Sequence, residues 1–383
     1  MFTSAHALTA DWKTGVDSCL TQLGQEPSRA GANFGFLYVT EALSGSLDLI
    51  LHDLRTRSSI SHWVGSTGLG VCVLNQSHCR EFFDDPTIVI MAANLPPESF
   101  ILFPSPDSSR DPCGDLGRQE ITTETSERDW PAGLPFVVAH ADTSNPNVLP
   151  LVEDLAESTG GYVVGGLTSS ETPNHQVAGA VTGGGVSGVV FSPDVPVVTS
   201  LSQGCQPMGR LHTVSRSTEN LIFELDDRPA LDVLLGVCDV DSVLALRDLA
   251  GDVHAALPVA GSDTADYVVR NLIGVDEDHG VVAIGAPIQD GDTIMFVRRD
   301  SQAARNDLRQ SFEKLKSRAG DHIKGGLYIS CIARGPHMFG RQNAELELIR
   351  DIFGDIPLVG LYANGEISNN RLYSYTGVLT LFV

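Results

Sequence analysis

Two short strings hold most of the side chains that could do chemistry. The first is Cys331-Ile332-Ala333-Arg334-Gly335-Pro336-His337, and the second is Gly360-Leu361-Tyr362-Ala363-Asn364-Gly365-Glu366. A thiol beside a guanidinium ionises more readily, and an imidazole in reach can act as its base. Cys331 and His337 are thus candidates for a thiol-dependent hydrolase or transferase. The third member of such a site, an orienting Asn or Asp, has no identifiable place in the sequence. Arg334 points to a different chemistry, because a guanidinium grips a carboxylate in a bidentate fork. Glu366 could meet an amine, while Asn364 and Thr376 supply neutral hydrogen bonds beside Gly365. One positive and one negative contact suit a zwitterion such as an amino acid. Each residue also has a plainer reading. Cys331 is a small buried residue at a strand end, and Arg334 is half of a salt bridge to Glu345 or Glu366.

The elements around these strings place them together. Gly326–Ser330 and Ile356–Val359 read as buried strands, and residues 342–353 as a helix with Leu346, Ile349, Ile352 and Phe353 on one face. In such an α/β unit the loops at the strand carboxyl ends share a crevice. The same strand–helix–strand pattern recurs from Phe34 to Gly65 and from Pro135 to Gly165. All three copies place Val-Gly at the second strand: Val64-Gly65, Val164-Gly165 and Val359-Gly360. Strands are expected to end near these glycines. The second and third copies are each followed by a hairpin-like pair, at residues 177–191 and 372–383. The expected fold class is therefore α/β, with two related halves built from strand–helix–strand units and mixed sheets. A boundary near Gly236 to Asp241 gives an amino-terminal domain over 1–236 and a carboxyl-terminal one over 237–383. In the latter, residues 267–273, 281–284 and 293–297 read as successive strands. The Ser-, Asp- and Thr-rich stretch from Pro104 to Pro135 reads as a long loop or flap.

The strings CIARGPHMFG, PLVGLYANGEI and YSYTGVLTLF, separated by a helix carrying Glu345, resemble the carboxyl-terminal half of the FIST domain. Upstream, GGYVVGGLTSS, AGAVTGGGVSGVVF and SLSQGCQPMGRLHTVSRSTENLIFELDDRPALDVL resemble its amino-terminal half. The resemblance runs from about Phe34 to Val383. It implies an intracellular sensory module for a small ligand, with amino acids as the suggested class, and a separate signalling partner. The F-box branch of the family implies a protein-interaction adaptor as an alternative. A sensor needs no catalysis, so the enzyme reading stands second.

Composition narrows the partners. The formal net charge is −23, a field that repels nucleic-acid phosphates and anionic membrane surfaces. No apolar run reaches the roughly 20 residues that span a bilayer, and the amino-terminal residues lack a secretory pattern. The 7 cysteines form no CxxC pair, which suits reduced thiols in the cytoplasm. Cys72, His78 and Cys79 crowd together without the paired spacing of a zinc site, so no metal is expected. Gly165, Gly166 and Gly183 to Gly185 belong to no GxGxxG or Walker loop, so no nucleotide or other cofactor is expected.

Overall fold

The computed structural model describes residues 2–25, 31–104, 125, 128–170, 175–259 and 266–383. Most of the stretch read as a flap after Pro104 lies outside the described residues. By contacts the chain forms two compact units. One comprises Met1–Ser202, Leu308–Leu372 and Thr376–Val383; the other comprises Gln203–Asp307 and Tyr373–Tyr375. Gly236 to Asp241, where the sequence suggests a boundary, lies within the second unit.

The first unit is one pattern written three times. The first copy runs β1 (Phe2–Leu8), α1 (Trp12–Gln25), β2 (Phe34–Thr40), α2 (Leu47–Ser58), β3 (His62–Gly68), a hairpin of β4 (Gly70–Leu74) and β5 (Cys79–Phe83), and β6 (Thr87–Ala93). The second runs β7 (Phe100–Phe103), β8 (Phe136–Ala141), α3 (Val148–Thr159), β9 (Tyr162–Leu167), a hairpin of β10 (Gln176–Ala178) and β11 (Ala180–Thr182), and β12 (Val186–Phe191), before β13 (Val197–Gln203).

The second unit intervenes with β14 (Cys205–Thr218), β15 (Leu221–Leu225), β16 (Arg228–Pro229), α4 (Ala230–Cys238), α5 (Val243–Arg247), β17 (Val253–Pro258), β18 (Tyr267–Asp276), β19 (Val281–Ile284) and β20 (Thr293–Arg299). After α6 (Ser301–Ala319) comes the third copy. It runs β21 (Gly325–Cys331), α7 (Pro336–Phe339), α8 (Ala344–Phe353), β22 (Leu358–Ala363), a hairpin of β23 (Glu366–Ser368) and β24 (Arg371–Tyr373), and β25 (Thr376–Phe382).

Each copy builds the centre of one six-stranded sheet. The orders are β1-β6-β2-β3-β10-β11, β7-β12-β8-β9-β23-β24 and β13-β25-β21-β22-β4-β5. In every sheet the two strands joined through a helix, β2 and β3, β8 and β9, or β21 and β22, pair in parallel, and the last strand of the copy, β6, β12 or β25, flanks the first of them antiparallel. The hairpin of each copy leaves for another sheet: the first copy's joins the third sheet, the second's joins the first, and the third's joins the second. The exchange closes in a ring, so each sheet is complete only when all three copies are folded.

The Val-Gly dipeptides mark equivalent places in this ring. Gly65, Gly165 and Gly360 pair with Leu37, Ala139 and Tyr328 across the parallel ladders. A Cβ on them would lie 1.6, 1.8 and 2.1 Å from the carbonyl oxygens of those partners. The strands do not end there, as the sequence suggests, but run on to Gly68, Leu167 and Ala363. The glycine is needed because a neighbouring backbone crosses it, and not because the chain turns.

Alternation along the strands divides the core. Phe34, Phe36, Tyr38, Val138, Val164, Leu327, Ile329 and Leu361 meet in one central cluster shared by the three sheets. The other parity faces the helices. Leu37, Val39 and Ile90 pack against Leu20, Ile50 and Leu54 of α1 and α2, and Val137, Ala139 and Val190 pack against Val152 and Leu155 of α3. Full burial of each such side chain contributes about 1.5–3 kcal/mol.

The second unit is a closed antiparallel barrel of β14, β20, β17, β18, β19 and β15, each paired with the next and β15 back with β14. The long β14 changes register between Met208 and His212, around Gly209 at φ 69°. That bulge bends it enough to serve both of its neighbours. Ile222, Val253, Val282, Ile294 and Phe296 fill the interior with Leu231 and Leu234 of α4.

Candidate functional site

The outer face of the third sheet differs from its two counterparts. Where the first two sheets meet their helices through apolar side chains, Tyr328 and Ser330 of β21 meet a charged cluster. Arg334, which follows β21, is fully buried. Its Nε donates to Glu345 Oε1 at 2.9 Å, and its Nη2 lies 2.9 Å from the same oxygen. Nη1 donates to the Ser202 carbonyl and Nη2 to Ser202 Oγ, both at 3.3 Å. The guanidinium carbon sits 5.4 Å from the centre of the Phe339 ring.

Glu345, on the first turn of α8, is equally buried. Its carboxylate also accepts from Tyr328 Oη at 2.6 Å, Ser330 Oγ at 3.2 Å and the Gly335 N–H at 3.1 Å. Burial is the largest single influence and disfavours the charge on Arg334, but Glu345, by charge and hydrogen bond, together with Tyr328 and Glu366 outweighs it, so the guanidinium's pKa stands above its ordinary value. Of the two partners the sequence offers Arg334, Glu345 is the one that holds it.

Glu81 of β5 extends this cluster. Its N–H donates to Asn343 Oδ1 and its Oε2 accepts from the Asn343 N–H, both at 2.7 Å. Asn343 takes φ 63° just before α8, so this pair fixes where the helix starts. Burial, then repulsion from Glu345, pushes the Glu81 carboxyl up to about 7.

Glu366 opens β23 opposite Gly166 and is fully buried. Its Oε2 accepts from the Thr376 N–H at 3.1 Å and from Thr376 Oγ1 at 2.8 Å. Its Oε1 is buried with no nitrogen or oxygen partner among the described residues. Burial pushes this carboxyl up to about 8, against the opposing pull of Thr376, Arg334 and the Cys331 thiol. At neutral pH it mostly keeps its proton and can donate as well as accept.

Two more polar groups lie on the same sheet. Gly166 pairs with His140 on its other side, so His140 and Glu366 occupy one cross-strand row and share a face. His140 Nε2 is 3.0 Å from Tyr38 Oη, and its Nδ1 is buried without a partner among the described residues. Burial holds this imidazole neutral, with its pKa down to about 3. Thr168, just beyond β9, has a buried Oγ1 that also lacks a partner. It sits beside the crossing where the Leu167 N–H donates to the Gly365 carbonyl at 2.9 Å and the Asn364 N–H donates to the Leu167 carbonyl at 3.0 Å.

Of the residues singled out by sequence, Cys331, Gly365, Glu366 and Thr376 are thus buried around one strand-end cluster. Asn364 is exposed beside it. Arg334 acts on Glu366 through its charge, while its donors are engaged by Glu345 and Ser202. His337 lies exposed on α7, whereas Cys331 is only 6% exposed. Sequence reading missed Thr168, His140 and Gln176. Gln176 occupies the place in the first sheet that Glu366 occupies in the second: it pairs with Ser66, as Glu366 pairs with Gly166. Gln176 lies 11 residues after Gly165 and Glu366 only 6 after Gly360, so the correspondence shows in the pairing and not in the spacing. Among the described residues no group of three or more His, Cys, Asp or Glu side chains is placed to hold a metal ion. No helix there is long and apolar enough to cross a membrane.

Comparison with known proteins agrees with the resemblance seen in the motifs. Residues 33–228 match the FIST N domain and residues 230–369 match the FIST C domain. An uncharacterized protein of Mycobacterium tuberculosis is 34% identical over 254 residues, which is 63% of this chain and 65% of that protein. The chain thus matches slightly less than two thirds of that relative's length. An uncharacterized protein of Mycobacterium bovis is 31% identical over 325 residues, covering 79% of each chain. An F-box/LRR-repeat protein of Arabidopsis thaliana is 27% identical over 109 residues, 27% of this chain and 21% of that protein. FIST domains are associated with sensory roles in signal transduction. With both halves matched in order over most of its length, the chain belongs to the FIST domain family.

Proposed function

We propose that the chain is a sensory module that binds a small ligand at the strand-end cluster of Glu366, Thr376, Cys331 and Gly365, with Asn364 at its rim, and passes its state to a separate protein partner. The observation that carries this reading is the Glu366 carboxyl. One oxygen is fixed by Thr376, and the other is buried without a nitrogen or oxygen partner among the described residues. Leaving such an atom unpaired costs on the order of 1–3 kcal/mol, which a ligand donor would recover. Thr168 Oγ1, two residues along the chain from the Gly166 that pairs with Glu366, is a second buried group without a partner among the described residues.

An amino acid fits in part. Its ammonium would displace the Glu366 proton and pair with the carboxylate. Its carboxylate would meet Asn364 and the neighbouring hydroxyls, since Arg334 is held by Glu345. The thiol-enzyme reading gains little from a Cys331 buried while His337 is exposed.

Thermal-shift screening of amino acids and simple amines against the wild type and Glu366→Gln tests the proposal. The expected result is a stabilising amine-bearing ligand, worth about 2.7 kcal/mol at 100 times its dissociation constant, whose effect the variant loses. A ligand that stabilises both proteins equally would refute the assignment to Glu366.

A further inference from the structure

We propose that Tyr375 is a latch: a ligand on Glu366 locks the Tyr375 side chain onto the barrel of the second unit. The inference rests on the ligand reading above and adds the route by which the bound state leaves the site.

Ser374 and Tyr375 join β24 to β25. Tyr373 to Tyr375 belong to the second unit, although the chain on either side of them belongs to the first. The Tyr375 ring lies on the imidazole of His254 in β17, with ring centres 4.5 Å apart and an interplanar angle of 32°. The Arg299 guanidinium, at the end of β20, is 5.4 Å from the ring centre. Tyr375 Oη donates to Asn271 Oδ1 of β18 at 3.0 Å. Neighbouring strands of the barrel thus hold one side chain. The backbone of the same residue stands at φ 62°, a conformation that a bulky L-residue keeps only where its surroundings enforce it.

The peptide between Tyr375 and Thr376 is a rigid plane, so the Tyr375 backbone sets where the Thr376 N–H points. That N–H and Thr376 Oγ1 are the two donors on Glu366 Oε2. A neutral Glu366 carries its proton on Oε1, the oxygen without a nitrogen or oxygen partner among the described residues. When a ligand ammonium binds there, the proton leaves to solvent and Oε2 becomes part of a carboxylate. Both Thr376 bonds are then charge-assisted and stronger. They hold the peptide plane, and with it the left-handed turn at Tyr375 that seats the ring. The coupling is reciprocal: whatever seats the ring also favours an ionised Glu366.

The test follows the Tyr375 ring resonances of the whole chain by NMR from pH 6.5 to 9, with ionisation of Glu366 standing in for the ligand. His254 beside Tyr375 and His140 in the Glu366 row stay neutral over that range, with pKa values held down to about 4 and about 3 by burial. Arg299 and Arg334, the cations facing the two ends, are guanidiniums and keep their charge. Cys331 is the other titratable group against Glu366. The Tyr375 resonances should shift with the same midpoint as Glu366 Cδ. Glu366→Gln should lose that shift, Cys331→Ser should keep it, and Tyr375→Ala should raise the Glu366 midpoint, all with unchanged circular dichroism. A Glu366 that titrates while the Tyr375 ring stays still, or a shift that survives in Glu366→Gln, would overturn the latch and leave the ligand reading standing. A Glu366 Cδ that does not titrate in this range would overturn both.

Discussion

Arg334 and Glu345 form an ion pair with no exposure to solvent, Nε and Nη2 of the guanidinium both 2.9 Å from one carboxylate oxygen. The pair joins the loop after β21 to the start of α8, and Glu345 gathers Tyr328, Ser330 and Gly335 onto the same carboxylate. The most cationic candidate for a ligand contact is thus an internal strut.

Removing one partner should therefore be costly. Arg334→Ala is expected to lower stability by about 3–5 kcal/mol, because it leaves Glu345 charged and buried. The double variant Arg334→Met with Glu345→Leu should recover much of the loss. Urea unfolding of the three proteins measures both; a loss below about 1 kcal/mol for the single variant would show that the pair is not held as described.

The glycines of the parallel ladders give a second prediction. Gly65→Ala, Gly165→Ala and Gly360→Ala should each destabilise by several kcal/mol or prevent folding, since the added carbon would overlap a backbone carbonyl. Gly236→Ala, in α4 with nothing within 4 Å of the new Cβ, should stabilise by up to about 1 kcal/mol. Thermal unfolding that ranks Gly236→Ala with the other three would contradict the close approach.

Much of this was legible in the residues, and the reasons are physical. Val64-Gly65, Val164-Gly165 and Val359-Gly360 stood out because a tight backbone crossing admits one residue type only. Strands β18 to β20 were visible because their apolar runs are long and bounded by turn residues. The hairpin exchange was hidden, because pairing between copies leaves no mark on local periodicity. Strands β1 and β17 were missed because Thr3, Ser4, Ala5 and Ala7, like Ala255 and Ala256, are small and carry little strand signal, and β4 to β7 were missed too, short runs that periodicity alone does not mark as strands. The strand-end cluster was read from Cys331, Glu366 and Thr376. Its His140 and Thr168 come from another copy and are joined to it only by the sheet.

Alkylation offers a third check. Cys331 is 6% exposed, while Cys79 and Cys238 are more open. Iodoacetamide at neutral pH should label Cys331 more slowly than Cys238, at a rate tied to opening of the fold. Fast, selective labelling of Cys331 would instead support a reactive thiol and the enzyme reading.

The pH dependence of stability is the fourth. Glu366 and Glu81 have folded pKa values, about 8 and about 7, above the ordinary 4.5. Between those limits the native state holds more protons than the unfolded chain, so stability falls as pH rises. His140, with a folded pKa of about 3 against 6.5, contributes the opposite slope below pH 6.5. Above about pH 7 the glutamates dominate the decline until the thiols of Cys19, Cys72, Cys79 and Cys238, raised by burial above their ordinary 9.0, add to it from about pH 8, and Glu366→Gln should flatten the part between pH 7 and 8. Denaturation midpoints from pH 6.5 to 9 measure this; the same slope in wild type and variant would contradict it.

The central claim, that Glu366 is a buried, neutral acid awaiting a ligand donor, is tested most directly by following its own carboxyl. NMR titration of the Glu366 Cδ resonance, assigned by comparison with Glu366→Gln, should give a midpoint near 8 without ligand and a much lower one with a bound amine. A midpoint near the ordinary 4.5 in the free protein, unmoved by any ligand that binds, would contradict it.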